Sequence, residues 1–306
     1  MTPQNLETNE IIFEVLQATG LNWTVSKEPI YFGENVVIED KYANVRSDVN
    51  KPLGIVGNQY EILQNKDMVK TVYEAGKEVF NKNGEINHPW NNAETLGSYG
   101  NIGGGSLKGG KAVFVQLKLD DAFIGKSDIK RFISVTNHHD GSKSLGFGTT
   151  NQVVCCANTF AIANKDLSKI RHSASMQKRI DDAVLGLRKI LEFETKQMEV
   201  FDKASTIRFD NKHLQDVFSM MFGAENLNNT EASTRLKNQV ADFGKDVQTS
   251  IDEQGESLWT LFNAVTRYTN HTRKAKDKDY SLMFGTDAKI NQNAFAWLQK
   301  ETGILI

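Results

Sequence analysis

The residues best suited to chemistry lie in one segment, 136–159, which reads TNHHDGSKSLGFGTTNQVVCCANT. His138, His139 and Asp140 are of the types that ligate metals or transfer protons. Neighbouring side chains on a strand point to opposite faces, so the two histidines can share a metal only if the chain turns there. The Asp-Gly pair favours such a turn, because glycine accepts a positive φ. The same pair also makes an ordinary connector between buried strands, so a metal site and a simple turn both stay open.

A catalytic centre on this segment would need groups from other parts of the chain. One hypothesis is a metal- or histidine-dependent enzyme acting on nucleic acid or another phosphate ester, with its reacting and supporting groups at His139, Asp140, His172, Asn137 and Asn158. The alternative is that these polar residues form buried hydrogen bonds that hold the strands together. Enzymatic activity is therefore uncertain, with the balance against it, and we expect neither a cofactor nor a bound metal.

A glycine-rich tract precedes this segment. The last part of the tract, GSLKGGKA (105–112), nearly matches the sequence pattern of a phosphate-binding loop. Such a loop needs Ser or Thr after the lysine and must open a helix. Here Ala112 follows Lys111, and the next residues alternate as in a strand, which excludes an NTPase loop. We expect instead a mobile hairpin tip, on which Lys108 and Lys111 could present positive charge to a polyanion.

The bulk composition is that of an ordinary soluble protein, with 24% charged and 39% hydrophobic residues among 306. No apolar run reaches the roughly 20 residues that cross a bilayer, and the amino terminus lacks the features of a signal peptide. The two cysteines, Cys155 and Cys156, are adjacent, an arrangement unsuited to an ordinary disulfide. These features predict a cytoplasmic, reduced protein that does not enter a membrane.

Positive charge is concentrated in one part of a nearly neutral chain. Residues 111–180 hold 11 Lys and Arg against 5 Asp and Glu, whereas the whole chain has a formal charge of −2. A local basic surface is expected where a protein binds phosphate backbones, and aromatic rings on a sheet can stack on bases. A further basic segment is 271–280. The predicted nucleic-acid-binding residues are Lys130, Arg131, Phe132, Lys143, Phe147, Lys165, Lys169, Arg171, Lys178 and Arg179.

The elements that must position these residues fall into two kinds. Strand-like stretches dominate 21–56, and the alternation of Val113, Val115, Leu117 and Leu119 with polar residues predicts a half-buried strand in an antiparallel meander. Helical spacing predicts three further elements. They are a helix over 9–20, a second helix that Asn65 would cap, and a long helix from about residue 173. We therefore predict an α+β fold: residues 1–172 form a mixed domain with an antiparallel sheet and packed helices. Residues 173–306 form an all-helical region packed on it or extending from it.

Four motifs in order resemble the landmarks of the bacterial and phage "phage/plasmid-like protein" family, which is classed as a domain of unknown function. They are LGIVGNQYEILQN (53–65), TNHHDGS (136–142), QVVCCANT (152–159) and IRHSASMQKRI (170–180). In that family a single histidine precedes Asp-Gly-Ser, and it aligns with His139. An arginine usually stands where this chain has Gln152.

The resemblance implies a mobile-element setting close to replication and recombination. The order of elements is also similar to the core of phage single-strand annealing proteins, which bind single-stranded DNA and assemble into rings or filaments. The leading expectation is therefore a DNA-binding, single-strand annealing protein of phage or plasmid origin that forms homo-oligomers and works with a recombination nuclease. The alternatives are the phosphate-ester enzyme described above and a structural or assembly protein of a phage particle.

Overall fold

The computed structural model describes residues 3–81, 102–143, 145–153, 158–163, 176–227 and 231–306. Antiparallel sheets occupy the amino-terminal half and helices most of the carboxyl-terminal half, so the predicted α+β class is confirmed. The chain forms two compact units whose segments interleave. The first comprises the described residues of Met1–Leu119, Phe132–Gly148 and Asn164–Leu191, and the second those of Asp120–Arg131, Thr149–Ala163 and Glu192–Ile306.

The first unit begins with the predicted amphipathic helix, α1 (Pro3–Ala18). Its apolar side chains Ile11, Ile12, Val15 and Leu16 recur at helical spacing and are buried, because that stripe faces the core. A three-stranded antiparallel sheet follows, with the order β1-β2-β3. Its strands are β1 (Val25–Phe32), β2 (Val36–Arg46) and β3 (Lys51–Gly57).

Helix α2 (Asn65–Asn81) packs against α1 and buries Met68, Val69 and Val72. Asn65, which the sequence predicts to cap this helix, is its first residue, and its side chain bonds outside the helix. Its amide donates to the Leu21 and Trp23 carbonyls at 3.0 and 3.2 Å. These two bonds hold the start of α2 against the chain that leads into β1.

A second sheet contains the predicted meander, with the strand order β4-β5-β7-β8-β9 and β6 paired to β7. Strand β5 shows the expected alternation, with Val113, Val115 and Leu117 buried. The strands are β4 (Ile102–Leu107), β5 (Ala112–Lys118), β6 (Ala122–Ile124), β7 (Ser127–His138), β8 (Gly146–Val153) and β9 (Asn158–Ala163). Cys155 and Cys156 lie outside the described residues.

The glycine-rich tract differs from the expected mobile tip, because part of it is a paired strand. Gly103, Gly104 and Gly105 belong to β4 and lie opposite β5. A Cβ on Gly104 would lie 2.8 Å from both the Phe114 carbonyl oxygen and Thr19 Cγ2, so the close packing there requires glycine. Only the short turn after Leu107 forms the tip, and Ala112 opens a strand as predicted.

Helices make up most of the second unit. They are the carboxyl-terminal part of α3 (Met176–Thr206), then α4 (Asn211–Phe222), α5 (Ala224–Leu227), α6 (Thr234–Gln254), α7 (Leu258–Arg267), a π-helical turn (Tyr268–Thr272), α8 (Lys278–Phe284) and α9 (Thr286–Thr302). Aromatic rings form their core: Phe201 packs on Trp259, Phe262 and Phe295 at centroid distances of 4.8, 5.3 and 5.6 Å. Among the described residues, no helix is both long enough and apolar enough to cross a bilayer.

Strand β3 approaches the turn after β7 so closely that one glycine decides the packing. A Cβ on Gly54 would lie 2.6 Å from Asp140 Cα, whereas nothing lies within 4 Å of a Cβ on Gly57 in the same strand. We predict that Gly54→Ala lowers the free energy of unfolding by about 2 kcal/mol, the usual cost of overpacking. Urea titration followed by circular dichroism measures this loss. Gly57→Ala is the matched control and should stay within about 0.5 kcal/mol of the wild type; equal effects of the two substitutions would contradict the packing described here.

Candidate functional site

Asn137–Asp140, part of the segment 136–159, lie where β7 ends and the turn after it begins. Asn137, His138 and His139 are buried, and His139 is 0% exposed. Nε2 of His139 lies 2.8 Å from Asn65 Oδ1. Because the Asn65 amide nitrogen already donates to two carbonyls, its oxygen accepts, and His139 Nε2 carries the proton of this bond. The imidazole thus joins the end of β7 to the start of α2.

Polar side chains from other elements bind the backbone of the same turn. Asn44 Nδ2 in β2 donates to the His139 carbonyl at 2.7 Å, and Asn137 Nδ2 donates to the Leu63 carbonyl at 3.2 Å. The His139 backbone N–H donates to the Lys111 carbonyl at 2.8 Å. These bonds connect β2, the end of β7 and the residue before β5 with the chain before α2. We call the buried side chains Asn44, Asn65, Asn137 and His139 the polar network.

Tyr60 and Asp140 complete the turn at its exposed side. The Tyr60 hydroxyl donates to the His138 carbonyl at 3.1 Å. Burial, and to a smaller extent the nearby Asp140 carboxylate, raises the pKa of Tyr60, so the phenol stays a donor over the physiological pH range. Asp140 Oδ1 accepts the Ser142 backbone N–H at 3.0 Å, while its distance to His138 Nδ1 is 4.0 Å. The second distance is too long for a hydrogen bond.

The residues of the enzyme hypothesis are placed as follows. Asn137, His139 and Asp140 lie together and bond within the turn, and Asn158 begins β9 in the other unit. His172 lies outside the described residues, so the hypothesis stays a prediction. In the parts of the chain that the structure describes, no three or more His, Cys, Asp or Glu side chains are grouped so that they could hold a metal ion.

Two of the predicted phosphate-binding arginines form ion pairs inside their own units. Arg131 Nη1 lies 3.1 and 3.2 Å from the carboxylate oxygens of Glu194, which is 3% exposed, and Arg131 Nε donates to the Asp120 carbonyl at 2.6 Å. Burial raises the pKa of Glu194 and the Arg131 charge partly offsets that rise. Arg179 is 8% exposed, with Nη2 3.4 Å from Glu61 Oε2.

The remaining predicted nucleic-acid-binding residues differ in exposure. Phe147 is buried, so in this conformation its ring does not face solvent, while Lys130 and Phe132 are half-buried. Lys143 and Lys178 are exposed. Lys165, Lys169 and Arg171 lie outside the described residues. The single groove expected from the sequence stays a prediction, and Lys143 lies in the turn described above.

In the basic segment 271–280 two cations are likewise bound internally. The carboxylate of Asp287 is fully buried at the start of α9. Arg273 Nη1 lies 2.7 Å from its Oδ1 and Lys278 Nζ lies 3.3 Å from its Oδ2. Lys274 and Lys276 of the same segment are exposed. Arg273 and Lys278 therefore attach their loop to the start of α9, because the buried Asp287 carboxylate needs cationic partners.

Three turns of the first unit converge beside the polar network, and together they carry a concentration of positive charge. They are 46–51, 108–111 and 139–143, and we call them the turn cluster. Its cations are Arg46, Lys51, Lys108, Lys111 and Lys143, and its carboxylates are Asp48 and Asp140. Lys51, Lys108 and Lys143 are exposed, so this surface is open to a polyanion.

Close contacts show that the first two turns touch. A Cβ on Gly109, which has φ of 67°, would overlap Lys51 Nζ, and a Cβ on Gly110 would lie 3.2 Å from both Arg46 Cδ and Trp23 Cη2. The Arg46 guanidinium stacks on Trp23, 4.3 Å from the ring centroid, and bonds to Asp48 at 2.6 Å. The third turn is joined to the second by the bond between His139 N–H and the Lys111 carbonyl.

Sequence reasoning noticed Lys108 and Lys111 but missed Arg46 and Lys51. Each stands in a short turn whose own composition is unremarkable, and only the folding of β2, β3, β4 and β5 brings the turns together. Lys108 also has a φ of 50°, a left-handed conformation that is uncommon for lysine. Glycine or asparagine would adopt this conformation at lower cost.

Comparison with known proteins assigns the chain to a family. Residues 98–297 match the family described as Domain of unknown function (DUF932), and since this is more than half of the 306 residues, the chain belongs to that family. The expectation that the chain belongs to a family of unknown function is confirmed, while its phage or plasmid origin stays a prediction. The matched region begins after the three-stranded sheet and contains Lys108, Lys111 and Lys143. No curated protein and no solved structure matches the chain.

The polar network should contribute strongly to stability, because its members are buried and each bonds to a residue distant in sequence. We predict that Asn65→Ala lowers the free energy of unfolding by about 3 kcal/mol, since it removes three hydrogen bonds and leaves His139 and two carbonyls without their partner. Thermal and urea unfolding measure the effect. Asn58→Ala, at an exposed position of the same unit, is the control. A loss below about 0.5 kcal/mol for Asn65→Ala would show that the network is dispensable.

Proposed function

We propose that this chain binds nucleic acid, and single-stranded DNA in particular, by placing the cations of the turn cluster against phosphates. The observation that carries the proposal is the convergence of three turns with five cations and two carboxylates. Phosphate contacts supply most of the affinity in binding that does not depend on sequence, and lysine on a turn can reach a phosphate without large rearrangement.

The distribution of the cations supports a polymer as the ligand. They come from three separate turns, so they suit successive phosphates of a chain better than one small anion. The turns that carry Lys51 and Lys108 touch at Gly109. Lys143 is the last residue of the turn after β7, and Lys111 accepts a backbone hydrogen bond from the first residue of that turn. The polar network anchors the turn after β7 to β2 and to the start of α2, which fixes the position of the backbone that carries Lys143.

The preference for a single strand comes from the similar order of elements in phage single-strand annealing proteins, and not from the cluster itself. Trp23 is buried beneath Arg46, so this ring does not present a face on which a base could stack. The cluster therefore supports recognition of the phosphate backbone, and a comparison of single- and double-stranded oligonucleotides of one sequence decides the strand preference. Tight binding of the single strand supports the proposal in full, and exclusive binding of the duplex would contradict its single-strand part.

Neutralising two cluster lysines should weaken binding in a salt-dependent way. For Lys51→Gln with Lys108→Gln we expect weaker affinity for a fluorescent single-stranded oligonucleotide. We also expect the slope of log K against log salt to fall in magnitude by about 1.4, the value for two single-strand phosphate contacts. Fluorescence anisotropy at several salt concentrations measures both quantities.

The matched control is Lys66→Gln with Lys70→Gln, which removes two exposed charges from α2 outside the cluster. It should leave the slope unchanged. Absence of binding by the wild-type chain at low salt, or an equal loss in the control, would refute the proposed site.

A further inference from the structure

The far end of the three-stranded sheet exposes an unusual amount of apolar surface. Residues 28–40, which we call the arm, carry five of the twelve exposed large hydrophobic side chains in the described part of the chain. Phe32 is 74% exposed and Val36 is 65% exposed. Contiguous apolar surface of this kind marks an interaction site in soluble proteins.

The arm is a two-stranded ribbon that continues past the end of β3. The last pair between β2 and β3 is Lys41 with Gly57, whereas β1 and β2 stay paired as far as Phe32 with Val36. Tyr31 faces Val37 in the next pair. Because successive pairs point to opposite faces, the ribbon presents apolar side chains on both faces. Neither face packs on a core, which is why these side chains are exposed.

The charge of the arm indicates what kind of surface would cover it. Residues 28–40 contain Glu28, Glu34, Glu39 and Asp40 and no Lys or Arg. Two arms packed together would place like charges side by side, which is unfavourable. A basic surface with some apolar area is the complement, and the turn cluster has both, since Val49 in its first turn is exposed.

The arm and the turn cluster lie at opposite ends of β2. Val36 and Arg46 are ten residues apart along this strand, and at about 3.3 Å per residue the separation is roughly 33 Å. An arm therefore does not reach the cluster of its own chain. A second copy of the chain offers the same basic surface without this restriction.

We propose that the arm of one copy docks on the turn cluster of a second copy, in a head-to-tail contact. Such a contact uses two different surfaces of the same chain, so repetition produces a ring or an open filament. The arm and nucleic acid then compete for one site, and binding of a polyanion releases the arm. The inference rests on the same cluster as the proposed function, but its test does not depend on nucleic acid.

Sedimentation velocity of two complementary variants tests the contact at low salt. The arm variant is Phe32→Ser with Glu34→Lys, and the cluster variant is Lys51→Glu with Lys108→Glu. The wild type should form species larger than one chain, and each variant alone should be a monomer. An equimolar mixture should give a dimer of one copy each and nothing longer, because only one intact arm and one intact cluster remain.

The control variant, Phe13→Ser with Glu14→Lys, changes the same residue types at exposed positions of α1 and should assemble like the wild type. A cluster variant that still dimerises would exclude the turn cluster as the docking surface, and a wild type that stays monomeric at every concentration would exclude the contact itself. Either result overturns the inference. Anisotropy with the arm variant separates it from the proposed function: retained or tighter oligonucleotide binding leaves that function standing whatever the assembly result.

Discussion

The first unit depends on one physical constraint, that polar groups removed from water must bond to one another. Asn44, Asn65, Asn137 and His139 are all buried, and each bonds to a residue distant in sequence. Loss of any one member leaves a donor or acceptor of another element buried without its partner, at a cost larger than the bond itself contributes. The network therefore behaves as a unit that specifies how the two sheets and α2 meet.

This constraint has a consequence for the surface next to it. The turn 139–143 begins at a network residue, and the turn 108–111 is bonded to it through the Lys111 carbonyl. The turn 46–51 is held by the β2–β3 pairs and by Arg46 on Trp23. Cationic side chains extend from a frame that is already ordered, so binding a phosphate backbone requires ordering of side chains alone, which keeps its entropic cost low.

How far the sequence predicts this structure depends on the range of the interaction. Local periodicity predicted β5 and the long helix α3, because alternation and helical spacing act over neighbouring residues. Arg131 and Arg179 looked available for phosphates, but their partners Glu194 and Glu61 stand 63 and 118 residues away. Asn65 was expected to cap a helix, and its bonds to Leu21 and Trp23 span 44 and 42 residues. The turn cluster escaped notice for the same reason, since only strand pairing brings its turns together.

The central claim is that the three turns form one surface for a polynucleotide. Hydrogen–deuterium exchange of the wild-type chain with and without a saturating single-stranded oligonucleotide tests it directly, because amides beneath a bound strand exchange more slowly. The account predicts slower exchange in peptides from 46–51, 108–111 and 139–143 together. Protection that misses all three turns, or that is confined to the helices after residue 192, would contradict it.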